Sequence, residues 1–191
     1  MKPEYIGQSA HKGCDPLQII WLALGYNVPI NPSKNRVYVW RKLKELGAGY
    51  FKQGVAILPK SPQSLAQFRA LAKKIQEMGG EATLAELKFL DAADEQKTIR
   101  QFREQSRTEY MELMRDCAQV MDHLKQNLWS DPDADRVRKV LKQYIKVKSR
   151  DFFKSGPGAE LTALLDEMAQ DIAHSTEELS KQLRALLDEK L

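Results

Sequence analysis

The chain has 191 residues, enough to bury one core or two small ones, and its 42% hydrophobic, 29% charged and 8% aromatic content is that of an ordinary globular protein. Two cysteines, Cys14 and Cys117, do not make a disulfide framework, and the formal charge of +4 is too small to argue for a partner by itself. No apolar run approaches the ~18–20 residues of a membrane span, and the opening MKPEYIGQSAHKGCDP lacks the apolar core of a secretory leader, so a cytoplasmic protein without a membrane partner is expected.

In chain order, residues 1–15 are polar, turn-rich and unpatterned, which predicts a flexible tail. Leu17–Pro29 (LQIIWLALGYNVP) is a near-continuous apolar run, as a central buried strand requires. Ser33 is placed as the N-cap of a helix that turns Val39, Leu43 and Leu46 inward with Trp40 beside them, and Gly47 ends it. The VYVW segment inside that helix carries a competing strand propensity. Two short strands then meet at Gln53-Gly54, a tight hairpin turn. Ser61 and Pro62 open a helix with Leu65, Phe68, Leu71, Ala72 and Ile75 on one face, and Gly79-Gly80 close it. EATLAELKFL completes the set as a strand of partial alternation. The order β-α-β-β-α-β over residues 16–90 predicts an α+β, ferredoxin-like domain.

From Asp91 the period changes to that of helices, which predicts a three-helix α-helical region over residues 91–191. Its first helix carries Ile99, Phe102, Tyr110, Leu113, Cys117, Val120, Leu124 and Leu128 toward an end near Trp129–Pro132. The second turns Val137, Leu141, Tyr144 and Val147–Lys148 inward and presents Lys139, Lys142, Lys146 and Arg150 outward. KSGPG breaks it, and a third runs toward the C-terminus on Leu161, Leu164, Met168, Ile172, Leu179, Leu183 and Leu186. Charge is clustered along this plan: net +4 over residues 34–46, net +7 over 136–154 and net −5 over 157–191.

Catalytic chemistry finds no foothold. The histidines His11, His123 and His174 are scattered, no G-x-S-x-G occurs, and Cys117 sits on an apolar helix stripe as a core residue would. Glycines 47, 49 and 54 match neither a dinucleotide fingerprint nor a phosphate loop. His11-x-x-Cys14 and Asp171-x-x-His174 each lack the second ligand pair that a metal site needs. The element order is shared with the small nuclease-like subunits of CRISPR adaptation. However, the end of the first strand reads Tyr26-Asn27, where a hard cation would need a carboxylate. Neither a catalytic nor a metal residue is expected.

Binding chemistry is better represented. Arg36 falls one turn before Trp40 and Leu43, while Arg41, Lys42 and Lys44 project outward from the same helix. A guanidinium one turn from an indole, at a helix N-terminus, suits a phosphate or a tetrahedral anion. The alternative is an arginine stem lying along the apolar edge with its head in water.

The stretch from Trp21 to Pro59, with Gly79-Gly80-Glu81-Ala82, resembles the N-terminal domain of the ChrB chromate-resistance regulators. The resemblance is carried by Trp21-Leu22, Pro29, Pro32-Ser33, Arg36-Val37, Trp40-Arg41, Leu43-Lys44, Gly47-Ala48, Gly54-Val55 and Leu58-Pro59. It is strong over residues 18–90 and extends to the helical part by element type alone. It implies a cytoplasmic regulator tied to chromate stress that binds DNA through this part of the chain. Long family members continue into a second domain linked with chromate sensing; the expectation here is a short form that binds without sensing.

The combined expectation is a non-enzymatic, homodimeric DNA-binding regulator or accessory protein of chromate (oxyanion) resistance. Arg36, Trp40, Arg41, Lys42 and Lys44 form one DNA- or anion-binding patch, and Lys139, Lys142, Lys146 and Arg150 another. No cofactor is expected, with chromate or another tetrahedral oxyanion as the candidate ligand. Two further readings stand beside it: a small-oxyanion binding protein without DNA binding, and a structural, protein-interaction module.

Overall fold

The structure is a computed structural model and describes residues 19–173 other than 127 and 129. It is a mixed α+β arrangement of four antiparallel strands and, among the described residues, five helices. In chain order they are β1 (Trp21–Asn27), α1 (Ser33–Glu45), β2 (Gly49–Lys52), β3 (Val55–Pro59), α2 (Pro62–Glu77), β4 (Glu81–Leu87), α3 (Ala92–Lys125), α4 (Asp131–Arg150) and α5 (Pro157–Ala173). The strands lie in the order β2-β3-β1-β4. β1 is thus interior, paired with β3 from Trp21↔Pro59 to Gly25↔Val55 and with β4 from Trp21↔Leu87 to Asn27↔Glu81. An interior strand covered on both faces needs apolar residues at every position, and Trp21, Leu22, Ala23 and Leu24 are all buried.

The alternate residues serve different layers. Leu22 and Leu24 share a cluster with Val39 and Leu43 of α1 and Phe68, Leu71 and Ile75 of α2. Trp21 meets Phe102 of α3 and Phe153, their ring centroids 5.5 and 5.8 Å away. Its indole N–H donates to Glu95 Oε1 at 2.9 Å. The start of α3 therefore lies over one end of the sheet. Gly49 is required there, since a Cβ at that position would stand 2.7 Å from the Phe102 ring.

Local signals were obeyed with small shifts. Ser61 caps α2 through a reciprocal bond with Ser64, and Gly79 ends it at φ +77°. Gly54 makes the hairpin turn at φ +73°. Helical periodicity prevailed over the strand propensity of VYVW because it buries Val39 and Leu43 against the sheet. Ser33 is the first helical residue rather than the cap; Pro32 occupies the cap position and has no side chain to accept from the helix. Trp40 is not on the inner face: one residue past Val39 is a rotation of about 100°, and its side chain is 53% exposed.

In the helical part, α3 buries Tyr110, Leu113, Cys117, Val120 and Met121 against Val137, Val140, Leu141, Tyr144 and Val147 of α4 and Leu161, Leu165, Met168 and Ile172 of α5. Three positions differ from the sequence expectation. Leu128 lies past the end of α3 and is exposed. Lys148 points outward, its ammonium 5.5 Å from the Tyr144 ring centroid. Leu165 replaces Leu164 on the buried stripe, because steps of four, three and four from Leu161 hold one face and leave Leu164 at its flank. Leu179, Leu183 and Leu186 lie outside the described residues, as do residues 1–15 with His11 and Cys14 and, at the other end, His174.

Candidate anion-binding surface

The surface begins with α1. Once Val39 and Leu43 are committed to the core, Arg36, Trp40 and Lys44 fall at successive four-residue steps on an exposed neighbouring stripe. Arg36 stands where β1 has already ended, so it is exposed rather than packed along an apolar edge. The Lys44 ammonium sits 5.6 Å from the centroid of the Trp40 ring, within the range of a cation–π contact. The first turn contains no acidic residue, although an acid there would be favoured by the helix dipole.

Between the end of β1, the β2–β3 turn and the first turns of α1 lies an open cleft of about 710 Å³. Tyr26, Val28, Ile30, Arg36, Val37 and Trp40 are among the residues that line it, with Ile30, Val37 and Trp40 exposed. The Tyr26 phenol is hydrogen-bonded to Tyr50; burial, followed by the neighbouring Tyr50, pushes its ionisation above the ordinary range. Both tyrosines are therefore neutral donors and acceptors at physiological pH. Among the described lining residues there is no carboxylate, so Arg36 is the formal charge of the cleft.

The other basic side chains divide into three groups. Arg41 is exposed beside the Arg36–Trp40–Lys44 stripe, and Lys142 is exposed on α4; neither has an acidic partner among the described residues. Lys42 is spent on Glu45, at 2.7 Å. The hydrogen bond from Lys42 lowers the Glu45 pKa, and the charges of Lys146 and Arg150 lower it further. The two helices touch at their ends, where Arg150 of α4 bonds the Lys44 carbonyl of α1, so two basic segments a hundred residues apart in sequence meet there.

The remaining two are diverted. Arg150 does not point outward: its guanidinium pairs with Glu109 of α3, and Nη1 donates to the Lys44 carbonyl at 3.0 Å. Its stem closes on Gly47, where an added Cβ would lie 2.9 Å from the Arg150 Cβ. Arg150 is a strut joining α4, α3 and the end of α1. Lys139 is exposed and borders a small cleft lined also by Glu109, Glu112 and Asp116. Sequence reasoning missed Tyr26, Tyr50 and Ile30. An isoleucine isolated between Pro29 and Asn31 was the available signal, since nothing in its own segment could bury it.

No group of three or more potential metal ligands occurs among the described residues, and no described helix is long and apolar enough to cross a membrane. Cys117 is fully buried, and burial pushes its thiol up to about 12, far from the range of a reactive cysteine.

A family model described as "Protein ChrB, N-terminal" matches residues 36–186. The match opens at Arg36 and runs through α2, β4 and all of α3, α4 and α5, well past the point where the sequence motifs thin out. It leaves out Trp21-Leu22, Pro29 and Pro32-Ser33. No curated protein matches the chain, and no solved structure does. With most of its length matched, three of the four strands and the helices together, the chain belongs to the ChrB N-terminal family.

Proposed function

We propose that this protein is a non-enzymatic regulator or accessory factor of chromate resistance that engages DNA along the edge where α1 and α4 abut. The family supports the link to chromate resistance. The observation that carries the DNA reading is the bond from Arg150 Nη1 to the Lys44 carbonyl at 3.0 Å, which sets the end of the α1 stripe beside the end of the basic face of α4. Arg36, Arg41 and Lys44 on α1, with Lys142 and Lys146 on α4, would supply the phosphate contacts, and Trp40 an apolar face among them. Arg150 and Lys42 contribute less, because each is already paired with a carboxylate, and Lys139 because carboxylates line the cleft it borders.

Contacts of this kind give affinity without sequence reading, and each phosphate neutralised adds about 0.9 to the slope of log affinity against log salt. The test is binding to the DNA upstream of the protein's own gene at low and moderate salt, with Arg41→Glu and Lys142→Glu as variants. Steep salt dependence, with both reversals weakening binding at unchanged thermal stability, is the expected result. Weak, salt-insensitive binding defeats the proposal.

The strand order β2-β3-β1-β4 supports reading residues 16–90 as the ferredoxin-like unit, with residues 91–191 as a helical region set against it. A homodimer acting in the cytoplasm completes the reading, and sedimentation equilibrium measures the first of these.

A further inference from the structure

The cleft at the start of α1 has the wrong dimensions for a bare oxyanion. A tetrahedral anion fills little more than twice the ~30 Å³ of a water molecule, whereas this cleft offers about 710 Å³. That is within the ~300–1,000 Å³ of sites for whole organic ligands. The walls agree with the size. Ile30 is 72% exposed and Val37 44%, and both stand with the half-exposed Trp40 around one concavity. Large apolar side chains left in water around a single hollow mark a place where something apolar is received. The Trp40 indole offers a flat face, and Tyr26 adds a hydroxyl group that burial keeps neutral. One positive charge, Arg36, meets no carboxylate there.

We infer that this cleft binds a small organic anion: a flat aromatic or heteroaromatic body lying against Trp40, Ile30 and Val37, with a single anionic head paired to Arg36. The proposal goes beyond DNA binding and does not need it, because the ligand is read in the absence of DNA. It assigns Arg36 the recognition of the head group and Trp40 the stacking surface. Bare chromate or sulfate satisfies the arginine and leaves the apolar walls wet.

The experiment uses the full chain and four probes: naphthalene-1-sulfonate, 2-naphthol, sulfate and chromate. Two readouts follow each titration, the melting temperature and the indole N–H resonance of Trp40, assigned with Trp40→Phe. The sulfonate is expected to raise the melting temperature with concentration and to move the Trp40 resonance at low millimolar levels. Sulfate should do neither, and 2-naphthol should bind at least tenfold more weakly than the sulfonate. Arg36→Gln should weaken the sulfonate about tenfold or more, and Trp40→Ala should do likewise. Both positions are exposed, so the melting temperatures of the free variants should stay near that of the parent. An equal response to sulfate or chromate would overturn the inference in favour of a simple oxyanion site. Undiminished binding of the sulfonate to Arg36→Gln would reduce the cleft to a nonspecific apolar patch, and no response to the sulfonate at all would remove it.

Discussion

The two hydrophobic clusters among the described residues are built from different materials. The sheet cluster is aromatic at its joint: Trp21, Phe89, Phe102, Phe152 and Phe153 touch ring to ring at centroid distances of 5.5–6.0 Å. The helical cluster is aliphatic over most of its volume, with Val137, Val140, Leu161, Leu165, Met168 and Ile172 buried around Tyr110 and Tyr144. α3 serves both. Ile99 and Phe102 belong to the sheet cluster, Tyr110 to Met121 belong to the helical one, and the buried Ser106 lies between. The hydrophobic period of the chain changes at residue 91, but the packing changes more than ten residues later, inside a continuous helix. A helix shared in this way transmits order, because neither cluster can lose it without exposing apolar surface of the other.

The strongest way to break the comparison is Phe102→Ala. It deletes the ring that meets Trp21, Phe152 and Phe153, and loss of a buried phenylalanine costs about 3–5 kcal/mol. If α3 couples the clusters, urea transitions followed by tryptophan fluorescence and by helical circular dichroism should coincide and shift together. Leu165→Ala, placed deep in the helical cluster, should then move both probes as well, by about 2–5 kcal/mol. Separate transitions would show that the clusters unfold as independent units. A smaller effect belongs to the strut. Arg150→Met leaves the half-buried Glu109 and the Lys44 carbonyl without their donor, which should cost about 1–3 kcal/mol. Most of that loss should be absent when Glu109→Gln is already in place, and a double-mutant cycle measures it.

The same contrast explains what could be read from the sequence. α2 was legible in full, because Ser61 and Pro62 at its start and Gly79 at its end each act on their immediate neighbours and the stripe from Phe68 to Ile75 has one period. The ChrB motifs were legible because they fall in the sheet unit, where turns and strands impose residue types at fixed positions. Arg150 was not legible: its spacing from Lys146 fits an outer stripe, and the partner that turns it inward, Glu109, lies 41 residues upstream. Leu164 and Leu165 are neighbours of the same kind, so a rotation of α5 that only tertiary packing fixes decided between them. Trp40 was placed beside the inward residues, and how far it turns outward was not legible, because the buried arc of α1 holds Val39 and Leu43 alone. The cleft was invisible for a stronger reason. Its walls come from a strand end, a turn and a helix start that meet in space and share no period.

The smallest expected effect sharpens the helical side of the comparison. Asp133, in the first turn of α4, is buried; it accepts from the Ser130 backbone N–H at 3.1 Å and from the Ser130 hydroxyl at 2.6 Å. Its other oxygen lies 2.8 Å from His123 Nδ1 near the end of α3. These bonds, that from the Ser130 side chain first, hold its carboxyl below the ordinary aspartate range. A carboxyl whose ionisation is lowered by folding stabilises the fold at pH values above its unfolded value near 3.8, and loses that contribution as the pH falls through the folded value. Asp133→Asn should therefore cost about 1 kcal/mol at pH 7, read as a drop in the urea midpoint. The gap between parent and variant should narrow below pH ~4, where the carboxyl of the unfolded parent takes up its proton before that of the folded one. An unchanged gap at pH 3 would mean that the α3–α4 joint depends on the shape of the side chain and not on its charge. The helical cluster would then be held by packing alone, as its aliphatic composition already suggests for its interior.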